Sequence, residues 1–133
     1  MPLVRISVSA TMDEGRRKLL PHAVYDAMRA AISIPEGDMF VTLTPHAEGE
    51  MCIDPNFMGM ERTEDFALVH ITLRRGRTPE AKQALYREIA RLFHERAKIA
   101  PDDVMIVLNE NESPDWSFGK GEAQFMPKTG AAS

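Results

Sequence analysis

The second residue of the chain is a proline, and an amino-terminal proline is a residue that can do chemistry. Initiator methionine is normally removed before proline, so we expect the mature chain to begin at Pro2. Its nitrogen is then a secondary amine on a rigid ring, able to act as a base, an acid or a Schiff-base nucleophile. Residues 3–8 alternate in polarity as a strand does, and a strand would hold that amine in place. Many chains begin Met-Pro without chemical meaning, so Pro2 alone does not decide the function.

Two arginines stand immediately before a predicted helix. Arg75 and Arg77 flank Gly76, and the following Thr78 and Pro79 are typical of a helix start. The helix dipole disfavours cations there, and a bound anion would reverse that penalty, because helix amino ends and arginine forks both accept carboxylates. The pattern therefore favours a carboxylate site over the alternative, a solvated basic turn.

Three further side chains are candidates for the same site. Asp38 follows Gly37 at the entry to a predicted strand, although aspartate is common in turns and Asp103 holds the matching place in the second half. Trp116, which is the only tryptophan, and Phe118 lie in the carboxyl-terminal tail. These aromatic residues are either core residues or the wall of a pocket, where they would exclude water and strengthen charge interactions.

Composition narrows the class of protein. A chain of 133 residues suits a single domain, 1–133. The net charge of −4 argues against a nucleic-acid partner, and no stretch has the layout of a membrane span or a signal peptide. Cys52 is the single cysteine, which excludes an internal disulfide and favours the cytoplasm. The four histidines and the cysteine show no metal-ligand spacing, so we expect no metal.

The chain contains an internal repeat at an offset of 65 residues. The strand pattern of residues 3–8 recurs at 68–73, the pattern of 38–43 recurs at 103–108, and an apolar helical stripe lies between them each time. The repeat predicts a first βαβ unit at 2–45, a loop at 46–65, a second βαβ unit at 66–109 and a tail at 110–133. Each unit should pair its two strands in parallel through a right-handed crossover.

These units predict an α/β (α+β) fold with a four-stranded sheet and two helices on one face. A capping box at 11–14 starts the first helix, and Pro21 should kink that helix or shift its start. The segment 104–108 is apolar at every position, as in a strand that is buried on both faces. Two helices cover only one face, so we expect neighbouring subunits to cover the other.

In these features the chain resembles the tautomerase superfamily, whose members use an amino-terminal proline. Within it, the chain looks closest to the malonate semialdehyde decarboxylases, from Pro2 to about Phe125. The similar segments, in the same order, are Pro2-Leu3, Ile34–Asp38, Arg75–Arg77 and Asp115–Gly121. The departures are Lys120 where arginine is expected, a slightly longer loop at 46–65, and Pro21.

The resemblance implies roles for six residues. These are Pro2 as the catalytic amine, Asp38 as its acidic partner, Arg75 and Arg77 as the holders of the substrate carboxylate, and Trp116 and Phe118 as a hydrophobic wall. It also implies a homotrimer that acts on a small carboxylate substrate without a cofactor.

Three functions remain open at this stage. Decarboxylation of a 3-oxo acid such as malonate semialdehyde requires a cationic Pro2 or an iminium formed by it. Tautomerisation of a 2-oxo or enol acid, such as phenylenolpyruvate or 2-hydroxymuconate, requires Pro2 to be neutral. Nearby arginines and desolvation lower the pKa of an amine, whereas a carboxylate raises it, and the sequence contains all of these influences. The third function is that of a non-catalytic trimeric binding protein that has kept the fold.

Overall fold

A four-stranded mixed sheet organises the protein, whose computed structural model describes residues 1–128. The strands are β1 (Leu3–Ser9), β2 (Val41–His46), β3 (Ala67–Arg74) and β4 (Val104–Asn111), in the spatial order β2-β1-β3-β4. The pairs β1–β2 and β3–β4 are parallel, and β1 runs antiparallel to β3. The predicted duplication of a βαβ unit is therefore confirmed. β4 runs on to Asn111, two residues past the end predicted for the second unit.

Three helices connect the strands: α1 (Glu14–Arg17), α2 (Leu20–Ile32) and α3 (Pro79–Ala97). The predicted capping box at 11–14 is wrong in its residues, although a helix does start there. The one-turn helix α1 is capped by Asp13, which accepts the Arg16 N–H at 3.0 Å, and not by Thr11. Pro21 stands in the first turn of α2, where no intrahelical N–H is lost. Pro21 therefore marks the start of the main helix and does not kink it. Within residues 1–128, no helix is long and apolar enough to span a membrane.

The core lies between the sheet and the helices α2 and α3. Alternate strand residues are fully buried on this face, namely Val4, Ile6, Val8, Val69, Ile71 and Leu73. The intervening residues point to the other face. On that face Met105 is 39% exposed and Val107 is 36% exposed. The single chain thus leaves apolar surface on the sheet face that no helix covers.

The long connection between β2 and β3 has no strand and includes a 3-10 turn at Phe57–Gly59. Its last residues are held by side chains from elsewhere in the fold. Asp103, which is 1% exposed, accepts the Thr63 N–H at 2.7 Å and the Thr63 hydroxyl at 2.6 Å. Arg16 donates to both carboxylate oxygens of Asp65, at 3.1 and 2.9 Å. The loop therefore enters β3 along a defined path.

Candidate active site

The sheet holds the amino end of the chain between two other strands. Leu3 pairs with Thr72 of β3, and the Val4 N–H donates to the Phe40 carbonyl at 2.9 Å on the other side. Pro2, which precedes this strand, is buried. A nitrogen at Pro2 is therefore at the end of a strand that is paired on both sides, and so it has a defined position.

Asp38 lies beside this amino end and is only 4% exposed. The turn before it places Gly37 at φ 87°, a backbone conformation that glycine adopts without strain, and the Gly37 N–H donates to the Tyr25 hydroxyl at 2.9 Å. Within the described residues, neither carboxylate oxygen of Asp38 receives a hydrogen bond. Oδ2 is 3.3 Å from the terminal nitrogen of Met1. A buried carboxylate is costly without a cation or donors, so the terminal amine is the group that stabilises it.

The predicted arginine pair lies where β3 ends. The Arg75 N–H donates to the Asn111 carbonyl at 2.8 Å, which extends the β3–β4 pairing by one residue. Gly76 has φ 133° and turns the chain toward α3, whose cap is Thr78. Both arginines line an open cleft whose other residues are Arg74, Gly76, Asn111, Glu112 and Ser113. Arg75 is exposed, and Arg77 donates to the Arg74 carbonyl at 3.2 Å.

The positive charges of Arg75 and Arg77 help to lower the pKa of one nearby carboxyl group, that of Glu110. The pKa of Glu110 is lowered from its usual 4.5, chiefly by the hydrogen bond from Lys82, whose ammonium lies 2.9 Å away. The attraction of Lys82 adds to this lowering, followed by that of Arg75 and Arg77. Arg75 and Arg77 therefore add to a positive potential that favours the ionised form of this neighbouring carboxylate.

Aromatic side chains stand next to the arginine cleft. The rings of Trp116 and Phe118 are stacked with centroids 5.5 Å apart and planes 12° apart. The Trp116 indole N–H donates at 2.7 Å to Oδ1 of Asn111, a residue of the cleft. Phe118 also lies 6.2 Å from Phe40 and 5.0 Å from Phe125, measured between ring centroids. These four rings form a continuous apolar surface that reaches from the cleft to the segment beside β1.

Phe40 and Phe125 were not among the residues predicted from the sequence. Phe40 comes two residues after Asp38 and is 44% exposed, although its carbonyl pairs with β1. Phe125 packs its ring face against the guanidinium of Arg74, whose central carbon is 3.9 Å from the ring centroid. The signal that could have identified them is their nearness in sequence to predicted site residues: Phe40 lies two residues after Asp38, and Phe125 lies in the tail that carries Trp116 and Phe118.

The six predicted residues lie in two groups at the end of the sheet where β1 begins and β3 and β4 end. We call this end, with Pro2, Asp38, Arg75 and Arg77, the arginine edge. Because β1 is antiparallel to β3 and β4 is parallel to β3, the start of β1 meets the ends of β3 and β4. Arg75 and Arg77 line the cleft, with Trp116 and Phe118 beside it. Pro2 and Asp38 form the second group, outside the residues that line the cleft in the single chain. Phe40 connects the groups through its ring and its carbonyl.

The opposite edge of the sheet has a second cavity that is related to this cleft by the repeat. Five of the seven residues that line the cleft match, at the offset of 65, residues that line this cavity: Ser9, Thr11, His46, Ala47 and Glu48. The place of Pro2 is taken there by Ala67, which lies inside the chain and has no amine. The place of Asp38 is taken by Asp103, whose oxygens are bonded to Thr63. The terminal amine, which is that of Met1 and lies 3.3 Å from Asp38 Oδ2, and a buried carboxylate without a hydrogen bond within the described residues are therefore features of the arginine edge.

Metal ligands do not gather at either edge. Across residues 1–128, no group of three or more histidine, cysteine, aspartate or glutamate side chains is placed to hold a metal ion. The chemistry that the arginine edge offers is that of an amine, a carboxylate and three guanidinium groups.

Comparison with known proteins gives consistent matches. The Tautomerase_2 family model, described as "Tautomerase enzyme", matches residues 38–119. The Bacillus subtilis (strain 168) protein named "Probable tautomerase YusQ" is 36% identical over 126 residues, which are 95% of this chain and 99% of that protein. A solved structure of malonate semialdehyde decarboxylase is 31% identical with a TM-score of 0.86, over 92% of this chain and 95% of that one. A structure of FG41 malonate semialdehyde decarboxylase inhibited by 3-bromopropiolate is 32% identical with a TM-score of 0.86, over 92% and 93%.

Proposed function

The chain belongs to the tautomerase superfamily, and on this premise we propose that it is a cofactor-independent enzyme that uses Pro2 to decarboxylate a small 3-oxo acid such as malonate semialdehyde. The observation that carries this proposal is the buried carboxylate of Asp38 beside the amino end, with no hydrogen-bond donor among the described residues. Such a carboxylate favours the protonated form of a neighbouring amine. A cationic amine suits decarboxylation better than proton abstraction.

The proposed reaction breaks the bond between the carboxylate carbon and its neighbour. CO2 leaves, and the electron pair of that bond moves toward the carbonyl, where negative charge develops on the oxygen. A protonated Pro2 would donate a hydrogen bond to this oxygen, or an iminium formed by Pro2 would accept the electron pair. The α-carbon then takes a proton from the protonated Pro2 or from water, which gives the product aldehyde. In the iminium route, formation of the iminium releases one water, and a water must hydrolyse the product iminium to release the aldehyde and regenerate Pro2.

The arginines would orient the acid for this step. Arg75 and Arg77 can bind its carboxylate and turn it out of the plane of the carbonyl, so that the breaking bond overlaps the carbonyl π system. The stacked rings of Trp116 and Phe118 would keep water from the neutral CO2 product. The two structures of malonate semialdehyde decarboxylase support this assignment because both exceed 30% identity over more than nine-tenths of this chain.

Tautomerisation is the second candidate, and a specific observation favours it. The B. subtilis relative that is 36% identical is named as a tautomerase. Moving a proton between carbons requires a neutral Pro2, and the arginines that lower the pKa of an amine are also present at this edge. Substrates of this candidate would be 2-oxo or enol acids such as phenylenolpyruvate or 2-hydroxymuconate.

The active form in this proposal is a homotrimer. Met105 and Val107 leave apolar surface on the sheet face that no helix covers, and copies of the same chain would bury it. The loop at 46–65 and the tail near Trp116 would add contacts. A neighbouring copy would also close the open edge between the Pro2 group and the arginine cleft.

The test combines a titration with two assays. Nitrogen NMR follows the pKa of the Pro2 amine while malonate semialdehyde and phenylenolpyruvate are offered as substrates. We expect a pKa above about 7 and decarboxylation as the main activity. Asp38→Asn should lower the pKa of the amine and slow decarboxylation, while Asp54→Asn, at an exposed loop carboxylate, should change neither.

Two results would contradict the proposal. A pKa of the Pro2 amine well below 7, with ketonisation of the enol acid as the only activity, would establish the tautomerase. A retained tautomerase activity in Asp38→Asn is compatible with the proposal, because a neutral proline is the better base. No activity on either acid would also contradict the proposal, because the substrate would then be neither of the two acids named here, and the class of the reaction would stay open.

A further inference from the structure

One residue of the site contacts both the arginine segment and the aromatic wall. Asn111 ends β4, and its backbone carbonyl accepts the Arg75 N–H at 2.8 Å. Its side-chain Oδ1 accepts the Trp116 indole N–H at 2.7 Å. We propose that Asn111 is a positioning residue that fixes the indole of Trp116 relative to Arg75, and this proposal rests on the function proposed above.

Asn111 is hydrogen-bonded both to Arg75, through its backbone carbonyl, and to Trp116, through its side chain. The backbone bond ties Arg75 to the end of β4, beyond the last register pair of Arg74 with Asn111. The side-chain bond sets the rotation of the indole, because the indole N–H is the only hydrogen-bonding group on that ring. Phe118 stacks on the indole with planes 12° apart, so it follows whatever orientation Asn111 imposes. A shift of Asn111 would therefore move the wall against the arginines.

The chemistry of the cleft accounts for an asparagine at this place. The indole needs an acceptor, and an aliphatic side chain would leave its N–H without one in a half-buried site. Aspartate would also accept, but its negative charge would sit among Arg74, Arg75 and Arg77 and compete with the substrate carboxylate. Asparagine supplies the acceptor without a charge. It therefore orients the wall and adds no second carboxylate to a cleft that already includes Glu112.

The test uses Trp116 as its own reporter, because it is the only tryptophan of the chain. Asn111→Ala should shift the emission maximum of the full-length protein and lower its fluorescence anisotropy. It should also lower kcat/KM by about three- to tenfold, as expected for one neutral hydrogen bond. In a Trp116→Phe background, which removes the indole N–H and keeps an aromatic ring, Asn111→Ala should cause no further loss. Asn109→Ala is the matched control, because the Asn109 side chain on the same strand contacts His70 instead, at 2.8 Å.

The outcomes separate this proposal from the function on which it rests. An unchanged tryptophan emission in Asn111→Ala overturns the positioning role, regardless of the kcat/KM of the variant. The same fold-loss of kcat/KM with and without the indole N–H also overturns it, because the effect then bypasses Trp116. If the wild type acts on neither acid, the proposed function fails, and the fluorescence arm alone decides for or against the contact with Asn111.

Discussion

Replacing each cleft arginine by alanine is the most direct perturbation of the candidate site. Arg75→Ala removes an exposed side chain whose backbone N–H, not its guanidinium, makes the bond to Asn111. Arg77→Ala removes one side-chain bond, to the Arg74 carbonyl at 3.2 Å. A bond from a charged guanidinium to a neutral carbonyl contributes roughly 1.5 kcal/mol, which is a small part of the free energy of unfolding of a domain of this size. Both variants should therefore fold.

We expect each variant to lose activity while its fold is kept. A charge-assisted hydrogen bond to a carboxylate contributes roughly 1.5–3 kcal/mol, and each 1.4 kcal/mol is about tenfold in rate. Each variant should lose about ten- to a hundredfold in kcat/KM, with circular dichroism unchanged. Arg87→Ala, at an exposed arginine of α3, removes the same charge away from the cleft and should keep full activity. If both cleft variants also kept full activity, the arginines would be a solvated basic turn and the anion site would be refuted.

Three further predictions concern the amine, the assembly and acid stability. Intact-mass measurement of active protein should show a chain that begins at Pro2, because a retained Met1 turns the amine into an amide; active protein that keeps Met1 would contradict the mechanism. Sedimentation should give about three times the 14.9 kDa mass of the chain. Val107→Asp, on the uncovered sheet face, should dissociate the assembly. The control Leu19→Asp, at an apolar residue on the helix side that is 43% exposed, should not. The pKa of Glu110 is lowered from 4.5 chiefly by Lys82, so its contribution to stability is present above that value and is lost as the pH falls through the folded pKa. Denaturation at several pH values should therefore show less acid destabilisation in Glu110→Gln than in wild type, and identical pH profiles would contradict this.

Local sequence patterns were sufficient to predict the architecture. Alternating polarity and one offset placed all four strands, and the Thr78-Pro79 pair marked the start of α3 because it supplies both a cap and a first-turn proline. The extension of β4 to Asn111 was not predictable in this way. Its last residues are polar, and what keeps them in the ladder is pairing with β3 up to Arg74. That pairing depends on a distant segment and leaves no local pattern.

The sequence predicted the individual residues of the candidate site but not the contacts between their side chains. The positions of Arg75 and Trp116 can be read from the chain, but the bond of Trp116 to Asn111, five residues earlier, depends on the 3-10 turn at Ser113–Asp115, which the periodicity does not predict. The contact between Phe40 and Phe118 joins residues from opposite halves of the sequence. It requires the two halves of the chain to pack together. Neither contact follows from the periodicity of its own segment.

The duplication explains why a chain with two similar edges would carry one active site. Both halves place an aspartate at the entry to a strand, but Asp103 is bonded to the backbone and hydroxyl of Thr63, whereas Asp38 has no donor within the described residues. A free backbone amine can exist only at the start of a chain, so the second unit cannot reproduce the group that Asp38 faces. Its aspartate instead holds the loop that leads into β3. A buried carboxylate without hydrogen bonds reduces stability, and the function proposed here gives a reason to retain it at Asp38.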